Sequence, residues 1–393
     1  MKVRRQSAKK TLHVVFAGGG TGGHLMPGAA TAEALHRTVP EARCLFLVTD
    51  RRTERQCSHA VRAFQTSRVP ATPVSGAAEM LLFPARCAAT AAQVLAALRR
   101  FRADVVVGLG GSNSLIPVLM GRMSGCRTAL LEGNAIPGRA VRVLAPLADR
   151  VFVQWPESAR GLRARRVSVS GLPVRRELFA GDGAAARRRL GLSSQKTTIL
   201  VMGGSQGAQA LNRAVQAAMP ALPATAQVLH LTGVDHLPEA LRSVANRLST
   251  YRPIGYLESM PDAYAAADLV MARAGASTLA ELTALGLPAV LVPYPHATDG
   301  HQRANARVLE RAGAARVMLQ SEIEPRRMAK TLWALAADDV RLARMSRAAR
   351  DLGAPDAAHN VALALARMAG REPETPQTTV QDKENKRRMS QAA

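Results

Sequence analysis

Residues 269–281 read LVMARAGASTLAE, a strand pattern followed by a glycine turn and a helical pattern. Leu269–Met271 predicts a short buried strand, which ends at the turn Ala274–Gly275. An apolar helical repeat then runs from Ser277 to Leu285. A glycine turn that opens a helix presents free backbone N–H groups at the positive end of the helix dipole, so the turn predicts a phosphate site. Glu281 lies one turn inside this helix. Its carboxylate either binds the two hydroxyls of a ribose or is an ordinary solvated side chain.

Two more glycine-rich turns follow predicted strands. Leu12–Ala17 leads into Gly18–His24, and Thr198–Met202 leads into Gly203–Gly207; a helical pattern follows each turn. These turns recur at an interval of roughly 185 residues, which indicates two similar halves. Because strands alternate with helices, we predict an α/β fold of two Rossmann-like domains whose parallel sheets face a cleft.

The pattern of strands, helices and composition divides the chain into six parts. They are a basic extension at 1–10, an N-terminal domain at 11–174, an irregular linker at 175–194, a C-terminal domain at 195–355, a C-terminal helix at 356–370 and a disordered tail at 371–393. The remaining predicted strands are Cys44–Thr49, Val105–Gly108, Thr128–Leu131, Val151–Val153, Val228–Leu231 and Ala289–Val292. The other predicted helices are Met26–Thr38, one that ends near Ala218, Gln302–Ala312, Arg326–Ala337 and Ala357–Ala369.

Composition limits the kinds of partner. The 393 residues carry a net charge of +24, and residues 1–175 hold 26 of the 53 basic side chains but 9 of the 29 acidic ones. This excess has two explanations. Either the amino-acid composition as a whole is biased towards arginine and alanine, or the positive charge serves to attract an anionic surface. Aromatic residues make up 3% of the chain, and no known nucleic-acid-recognition motif occurs in the sequence. An anionic membrane is therefore a better candidate partner than nucleic acid. No apolar run is long enough to span a bilayer, and the four cysteines lack C-x-x-C spacing.

The glycine turns point to chemistry without a metal or a cofactor. Neither is a Walker A loop, and no D-x-D motif occurs to hold a divalent ion on a diphosphate. Backbone N–H groups and an arginine are then expected to neutralise the leaving diphosphate. His24, at the start of a helix, is either a neutral general base or a residue that hydrogen-bonds its own loop.

Several motifs together resemble the MurG family. They are Gly19–His24, Gly203–Gly207, the run from Arg273 to Glu281, and His301-Gln302 followed by Asn305-Ala306. Members of that family transfer N-acetylglucosamine from UDP-N-acetylglucosamine to undecaprenyl-diphosphate-linked N-acetylmuramoyl-pentapeptide (lipid I). The resemblance implies the GT-B fold, formation of lipid II in peptidoglycan synthesis, and a peripheral enzyme on the cytoplasmic face of the membrane. It is also compatible with contacts between this protein and other proteins of cell-wall synthesis.

The resemblance also assigns roles to individual residues. The catalytic candidates are His24, as the general base, and Glu132, as the second choice. The donor-binding candidates are Thr21, Gly22, Gly23, Asn134, Arg175, Ser205, Leu257, Ala276, Ser277, Thr278, Leu279, Ala280, Glu281 and Gln302. Within that set, Ser205 and the backbone of Ala276–Thr278 would hold the diphosphate and sugar, and Glu281 would take the ribose hydroxyls.

The other assigned residues surround this centre. The backbone of Leu257 would contact the uracil, and Gln302 would contact hydroxyls of the N-acetylglucosamine. Asn134 would face the donor across the cleft, and Arg175 would lie near the phosphates or the hinge. The turn Thr21–Gly23 would face the diphosphate of the acceptor and the donor sugar.

The sequence departs from the family pattern in four places, and these changes bear more on the acceptor-side contacts than on the donor site. Ser112 replaces a tyrosine, Gly133 a glutamine, Leu172 an asparagine and Ala274 a serine. Glu79–Pro84, with arginines nearby in sequence, is expected to be either a membrane-contacting edge or part of the core. Two other functions stay open: a UDP-N-acetylglucosamine 2-epimerase of the same fold, and a non-catalytic binder of anionic polymers.

Overall fold

The computed structural model describes residues 11–18, 22–49, 61–70, 77–204, 208–243, 250–257 and 259–371. The predicted basic extension, and the predicted tail apart from Arg371, lie outside these residues. Among the candidates, Thr21 and Ser205 also lie outside them.

The N-terminal domain is built on a parallel sheet. Its strands are β1 (His13–Ala17), β2 (Arg43–Val48), β3 (Gln65–Arg68), β4 (Val105–Gly108), β5 (Arg127–Glu132), β6 (Arg150–Val153) and β7 (Val167–Val169). They lie in the order β3-β2-β1-β4-β5-β6-β7. The helices are α1 (Gly22–Thr38), α2 (Ala77–Phe101), α3 (Leu115–Met123), α4 (Arg139–Leu144) and α5 (Pro156–Arg160). Because the central strands are apolar and buried on both faces, this sheet forms the core of the domain.

The C-terminal domain repeats the architecture. Its strands are β8 (Thr197–Met202), β9 (Ala226–Leu231), β10 (Tyr251–Ile254), β11 (Leu269–Ala272), β12 (Ala289–Leu291) and β13 (Ala315–Val317), in the order β10-β9-β8-β11-β12-β13. The helices are α7 (Gln209–Ala218), α8 (Leu237–Ser243), α9 (Met260–Ala266), α10 (Ala276–Leu285), α11 (His301–Arg311), α12 (Pro325–Ala336) and α13 (Asp339–Leu352). Every pairing is parallel. The predicted pair of Rossmann-like domains is confirmed.

The segment between the domains differs from the irregular linker that we predicted. It contains helix α6 (Gly183–Leu190), which Asp182 caps by accepting from the amide of Ala184 at 2.9 Å. Leu178, Ala186 and Leu190 are buried in the core of the C-terminal domain. Apolar residues at a helical spacing therefore outweigh the charged composition that suggested a loop.

The last described helix, α14 (Ala357–Met368), returns to the N-terminal domain. It packs along α1, and Val361 and Leu365 are fully buried in the same cluster as Leu25 and Leu35. The chain therefore crosses between the domains twice. Helix α14 follows the C-terminal domain in sequence but packs on the N-terminal domain.

Across the described ranges, none of the helices is both long enough and apolar enough to cross a bilayer.

Candidate functional site

The candidate site lies where the carboxyl ends of both sheets meet. In the N-terminal domain, His24 follows β1 and Glu132 ends β5. In the C-terminal domain, α10 starts directly after β11. The two halves are in contact, because the hydroxyl of Ser277 donates to the carbonyl oxygen of Gly23 at 2.7 Å. This is the position at which doubly wound sheets bind ligands.

Close packing of backbone explains the glycines beside His24. Gly18 has φ +121°, and a Cβ there would lie 2.6 Å from the carbonyl oxygen of Gly110. Gly110 has φ +95°, and its own Cβ would lie 3.0 Å from Cδ2 of the His24 ring. The turns after β1 and β4 therefore pack against each other, and the imidazole lies directly on the second turn.

His24 has the electrostatics of a neutral imidazole. The side chain is half-buried, and this burial is the main reason that its pKa lies below the ordinary 6.5. The nearby His301 lowers the pKa further. A histidine in this state accepts a proton at neutral pH, as a general base must.

Glu132 holds a loop together. Its Oε1 accepts from the main-chain and side-chain nitrogens of Asn134 at 2.8 and 2.9 Å, and its Oε2 accepts from the amide of Gly138 at 2.7 Å. Burial raises the pKa of this carboxyl, while the hydrogen bonds oppose that rise. Both oxygens of Glu132 therefore accept hydrogen bonds within the loop, and the carboxylate supports Asn134.

The start of α10 has no side-chain cap among the described residues. Gly275 occupies the N-cap position with extended backbone. The half-buried residues Ala276, Ser277 and Thr278 form its first turn, where amide groups lack partners within the helix. The helix dipole adds positive charge at the same point.

Leu279, another donor-binding candidate, lies at the inner side of this turn. Its amide donates to the carbonyl oxygen of Gly275 at 3.0 Å, and its side chain is fully buried in the core. The side chain of Ala280 is also buried, at 5% exposure.

Glu281 is half-buried and has a partner that sequence reasoning missed. The hydroxyl of Tyr264, on α9, donates to Oε2 of Glu281 at 2.6 Å. Burial raises the pKa of the carboxyl, and the Tyr264 hydrogen bond and the charge of Arg175 oppose that rise. Tyr264 thus holds one oxygen of the carboxylate, and the other accepts no hydrogen bond from a side chain that the structure describes. An aromatic residue in a helical repeat gives no sign of this role in the sequence.

Three other candidates have defined surroundings. Nη1 of Arg175 donates to Oε1 of Glu177 at 2.5 Å, and the same guanidinium influences Glu281. Oε1 of Gln302 accepts from the amide of Tyr294, in the loop after β12, at 2.9 Å. Leu257 is half-buried and packs against the core of the C-terminal domain.

Within the described ranges, no group of three or more His, Cys, Asp or Glu side chains is placed to hold a metal ion.

Comparison with known proteins identifies the family. Residues 14–153 match the glycosyltransferase family 28 N-terminal domain, and residues 198–361 match its C-terminal domain. A protein of Saccharopolyspora erythraea is 39% identical over 371 residues, which cover 93% of this chain and 96% of the relative. One of Desulforudis audaxviator is 37% identical over 379 residues, covering 92% and 99%. Both are named UDP-N-acetylglucosamine--N-acetylmuramyl-(pentapeptide) pyrophosphoryl-undecaprenol N-acetylglucosamine transferase.

The chain belongs to this transferase family. The crystal structure of Acinetobacter baumannii MurG superposes with a TM-score of 0.72 at 25% identity, covering 91% of this chain and 99% of that one. The GT-B fold is confirmed. A putative UDP-N-acetylglucosamine 2-epimerase from Listeria monocytogenes superposes with a TM-score of 0.65 at 13% identity, which shows a common fold alone.

Two departures from the family pattern lie together in this structure. A Cβ on Gly133 would lie 2.8 Å from Cδ2 of Leu172 and 2.8 Å from Cβ of Ala276. Leu172 therefore occupies the space beside residue 133, and the small residue lets α10 approach the N-terminal domain. Ser112, the third departure, opens a 3-10 turn that leads into α3.

Proposed function

We propose that this member of the family is an inverting glycosyltransferase that moves N-acetylglucosamine from UDP-N-acetylglucosamine to the C4 hydroxyl of the muramoyl sugar of lipid I, giving lipid II. Relatives that carry this name align over nearly their whole length. The observation that carries the proposal is the pairing of His24 with the open start of α10 across one cleft, supported by the contact of Ser277 with Gly23.

The donor is proposed to bind mainly to the C-terminal domain. The amides of Ala276–Thr278 and the dipole of α10 attract its diphosphate. Oε1 of Glu281 accepts from the ribose hydroxyls, while Tyr264 donates to Oε2. Asn134 reaches the sugar from the opposite side of the cleft.

The proposed reaction is a single displacement at C1 of the donor sugar. His24 takes the proton of the acceptor hydroxyl as its oxygen forms the new bond to C1. The bond from C1 to the diphosphate oxygen breaks, and UDP leaves with the electron pair. General-base assistance contributes about 10²–10⁴ in rate. The amides of α10 are placed to stabilise the negative charge that develops on UDP.

The acceptor is a lipid, so we also propose that the N-terminal domain docks on an anionic membrane surface. Helices α2, α3 and α4 follow one another over the same side of the sheet. They expose Phe83, Met123 and Val143, at 36%, 78% and 63%. Arg86, three residues after Phe83 on α2, is an exposed basic side chain on the same helix. The predicted edge at Glu79–Pro84 lies within α2, and the side chains of Glu79–Leu82 lie outside the described set.

A transfer assay tests the proposed activity. The purified protein is incubated with UDP-N-acetylglucosamine, first alone and then with lipid I in detergent, and both UDP and lipid II are measured. We expect UDP and lipid II in equal amounts, only when lipid I is present. Epimerisation of the donor sugar without acceptor would instead identify a 2-epimerase, and no reaction in either arm would contradict both enzymatic functions.

A further inference from the structure

Asn305 is a buried side chain whose hydrogen bonds join the two domains. It lies on α11 and has no exposed surface. Its Oδ1 accepts from the amide of Ala135 at 2.8 Å, and its Nδ2 donates to Oδ1 of Asn134 at 3.0 Å and to the carbonyl oxygen of Ala274 at 3.2 Å. Ala274 belongs to the turn before α10. One amide therefore contacts both the proposed phosphate turn and the loop of the opposite domain.

These contacts determine how the amide of Asn134 is oriented. Its Nδ2 donates to the carboxylate of Glu132, which only accepts, while its Oδ1 accepts from Nδ2 of Asn305. Its main-chain carbonyl accepts from the hydroxyl of Ser158 at 2.6 Å. A rotation of the amide by 180° would place nitrogen against nitrogen and oxygen against oxygen. Among the residues that the structure describes, nothing pairs with the second N–H and the second lone pair of the Asn134 amide.

We propose that Asn305 is a positioning residue that makes donor-sugar recognition depend on contact between the domains. This inference rests on the proposed function, in which Asn134 binds the N-acetylglucosamine. The proposed contacts to uridine, ribose and diphosphate lie in the C-terminal domain, whereas Asn134 lies in the N-terminal one. Asn305 orients Asn134 only when the cleft is closed, so UDP binds to either arrangement and the sugar is held in the closed one.

A second interdomain contact provides a matched control. Asp299 pairs with Arg139 at 2.8 Å and with Arg142 at 3.1 Å, and the two arginines are 74% and 45% exposed. Exposed ion pairs add little to a contact because water competes with them. Asp299→Asn therefore changes the same interface without touching Asn134.

The test compares Asn305→Ala, Asn305→Asp and Asp299→Asn in the full-length protein. Calorimetric titration gives the affinities for UDP and UDP-N-acetylglucosamine, and the transfer assay gives kcat and KM. For both Asn305 variants we expect UDP affinity within about twofold of wild type and kcat/KM lower by at least about tenfold, the usual effect of unpairing buried polar groups. Asp299→Asn should stay near wild type. Asn305→Asp preserves the size of the side chain, so its measurements decide the outcome if Asn305→Ala does not fold.

A double variant tests whether Asn305 acts through Asn134. If it does, adding Asn305→Ala to Asn134→Ala should lower kcat/KM little further, because the two residues form one unit. Additive losses would overturn the inference. So would variants that weaken UDP and UDP-N-acetylglucosamine equally, or that change neither. A wild-type protein that fails to transfer sugar to lipid I would instead overturn the proposed function, which separates the two failures.

Discussion

At the scale of single residues, the environment of His24 combines two requirements of a general base. The ring lies on the Gly110 turn, which limits its motion, and burial keeps it neutral. His301 contributes a second imidazole nearby, and its Nδ1 lies 2.6 Å from the carbonyl oxygen of Thr298. The sequence predicted His24 from its position after a glycine turn, whereas its packing against Gly110 required the fold.

Replacing His24 should separate catalysis from binding. His24→Ala is expected to lower kcat by about 10²–10⁴, because the base is lost, while UDP affinity changes little. His36→Ala, on the same helix and exposed outside the cleft, is the matched control. Because the pKa of His24 is lowered, the acid limb of kcat/KM in the wild type should lie below pH 6.5. A kcat that is unchanged by His24→Ala would restrict the residue to a structural role.

Tyr264 and Glu281 should act as a pair on the ribose. Tyr264→Phe removes the donor to Oε2, and Glu281→Gln removes the charge; each is expected to weaken UDP binding by about tenfold or more, as for hydrogen bonds to charged groups. The 2′,3′-dideoxy analogue of UDP lacks the hydroxyls and serves as the control ligand in calorimetric titrations. Equal losses for UDP and the analogue would place Glu281 away from the ribose.

At the scale of elements, the strands that sequence patterns missed share one feature. They are β3, β7, β10 and β13, and each lies at an edge of its sheet. Edge strands bury fewer side chains: Gln65–Arg68 reads QTSR and is mostly exposed. Interior strands such as Val105–Gly108 are buried throughout and were predicted with their observed bounds. An apolar run therefore identifies a strand only where neighbours cover both faces.

A buried polar network fixes helix α7 behind the second glycine turn. Nδ1 of His230, on β9, lies 2.7 Å from the hydroxyl of Tyr251, and its Nε2 lies 3.1 Å from Oδ1 of Asn212 on α7. Nδ2 of Asn212 donates to the carbonyl oxygen of Thr232 at 2.8 Å. The network connects two strands to the helix, so it holds that helix in register on the sheet.

This network should make the protein sensitive to acid. Burial lowers the pKa of His230 to about 3 from 6.5. The stability contributed by the neutral ring is complete above pH 6.5 and is lost as pH falls from 6.5 towards 3, because the unfolded chain takes up the proton first. Thermal unfolding of the wild type and His230→Leu at pH 7.5, 5.5 and 4.5 measures this loss. At pH 7.5 the melting temperature of His230→Leu should lie below that of the wild type, and it should fall less on acidification. Melting temperatures that fall equally with pH in both proteins would contradict a role of His230 in acid sensitivity.

At the scale of the whole molecule, the domains are joined by more than the chain between them. Helix α14 packs on α1, and Arg311 of the C-terminal domain pairs with Glu157 of the N-terminal one at 3.1 Å. The whole chain carries a net charge of +24, with the larger excess in its first half. Attraction to an anionic surface is expected from such a charge.

Membrane docking should therefore depend on both salt and exposed apolar residues. Binding to anionic vesicles is expected at low salt and should fall as salt rises, since each basic residue near the surface contributes about 1 kcal/mol. Met123→Asp should weaken it further. Val340→Asp, 69% exposed on the C-terminal domain, is the control. Vesicle co-sedimentation measures both, and equal binding to neutral and anionic lipid at every salt concentration would contradict an electrostatic contribution.

The two-domain α/β architecture could be predicted from sequence, because buried strands and glycine turns are local patterns. The family could be recognised too, since motifs such as the run from Arg273 to Glu281 are contiguous. Which distant residues meet became known only from the folded chain. Tyr264 reaches Glu281 from another helix, and Asn305 joins Asn134 across 171 positions of chain. Hydrogen bonds of this kind depend on how sheets and helices pack, and no spacing along the chain encodes that packing.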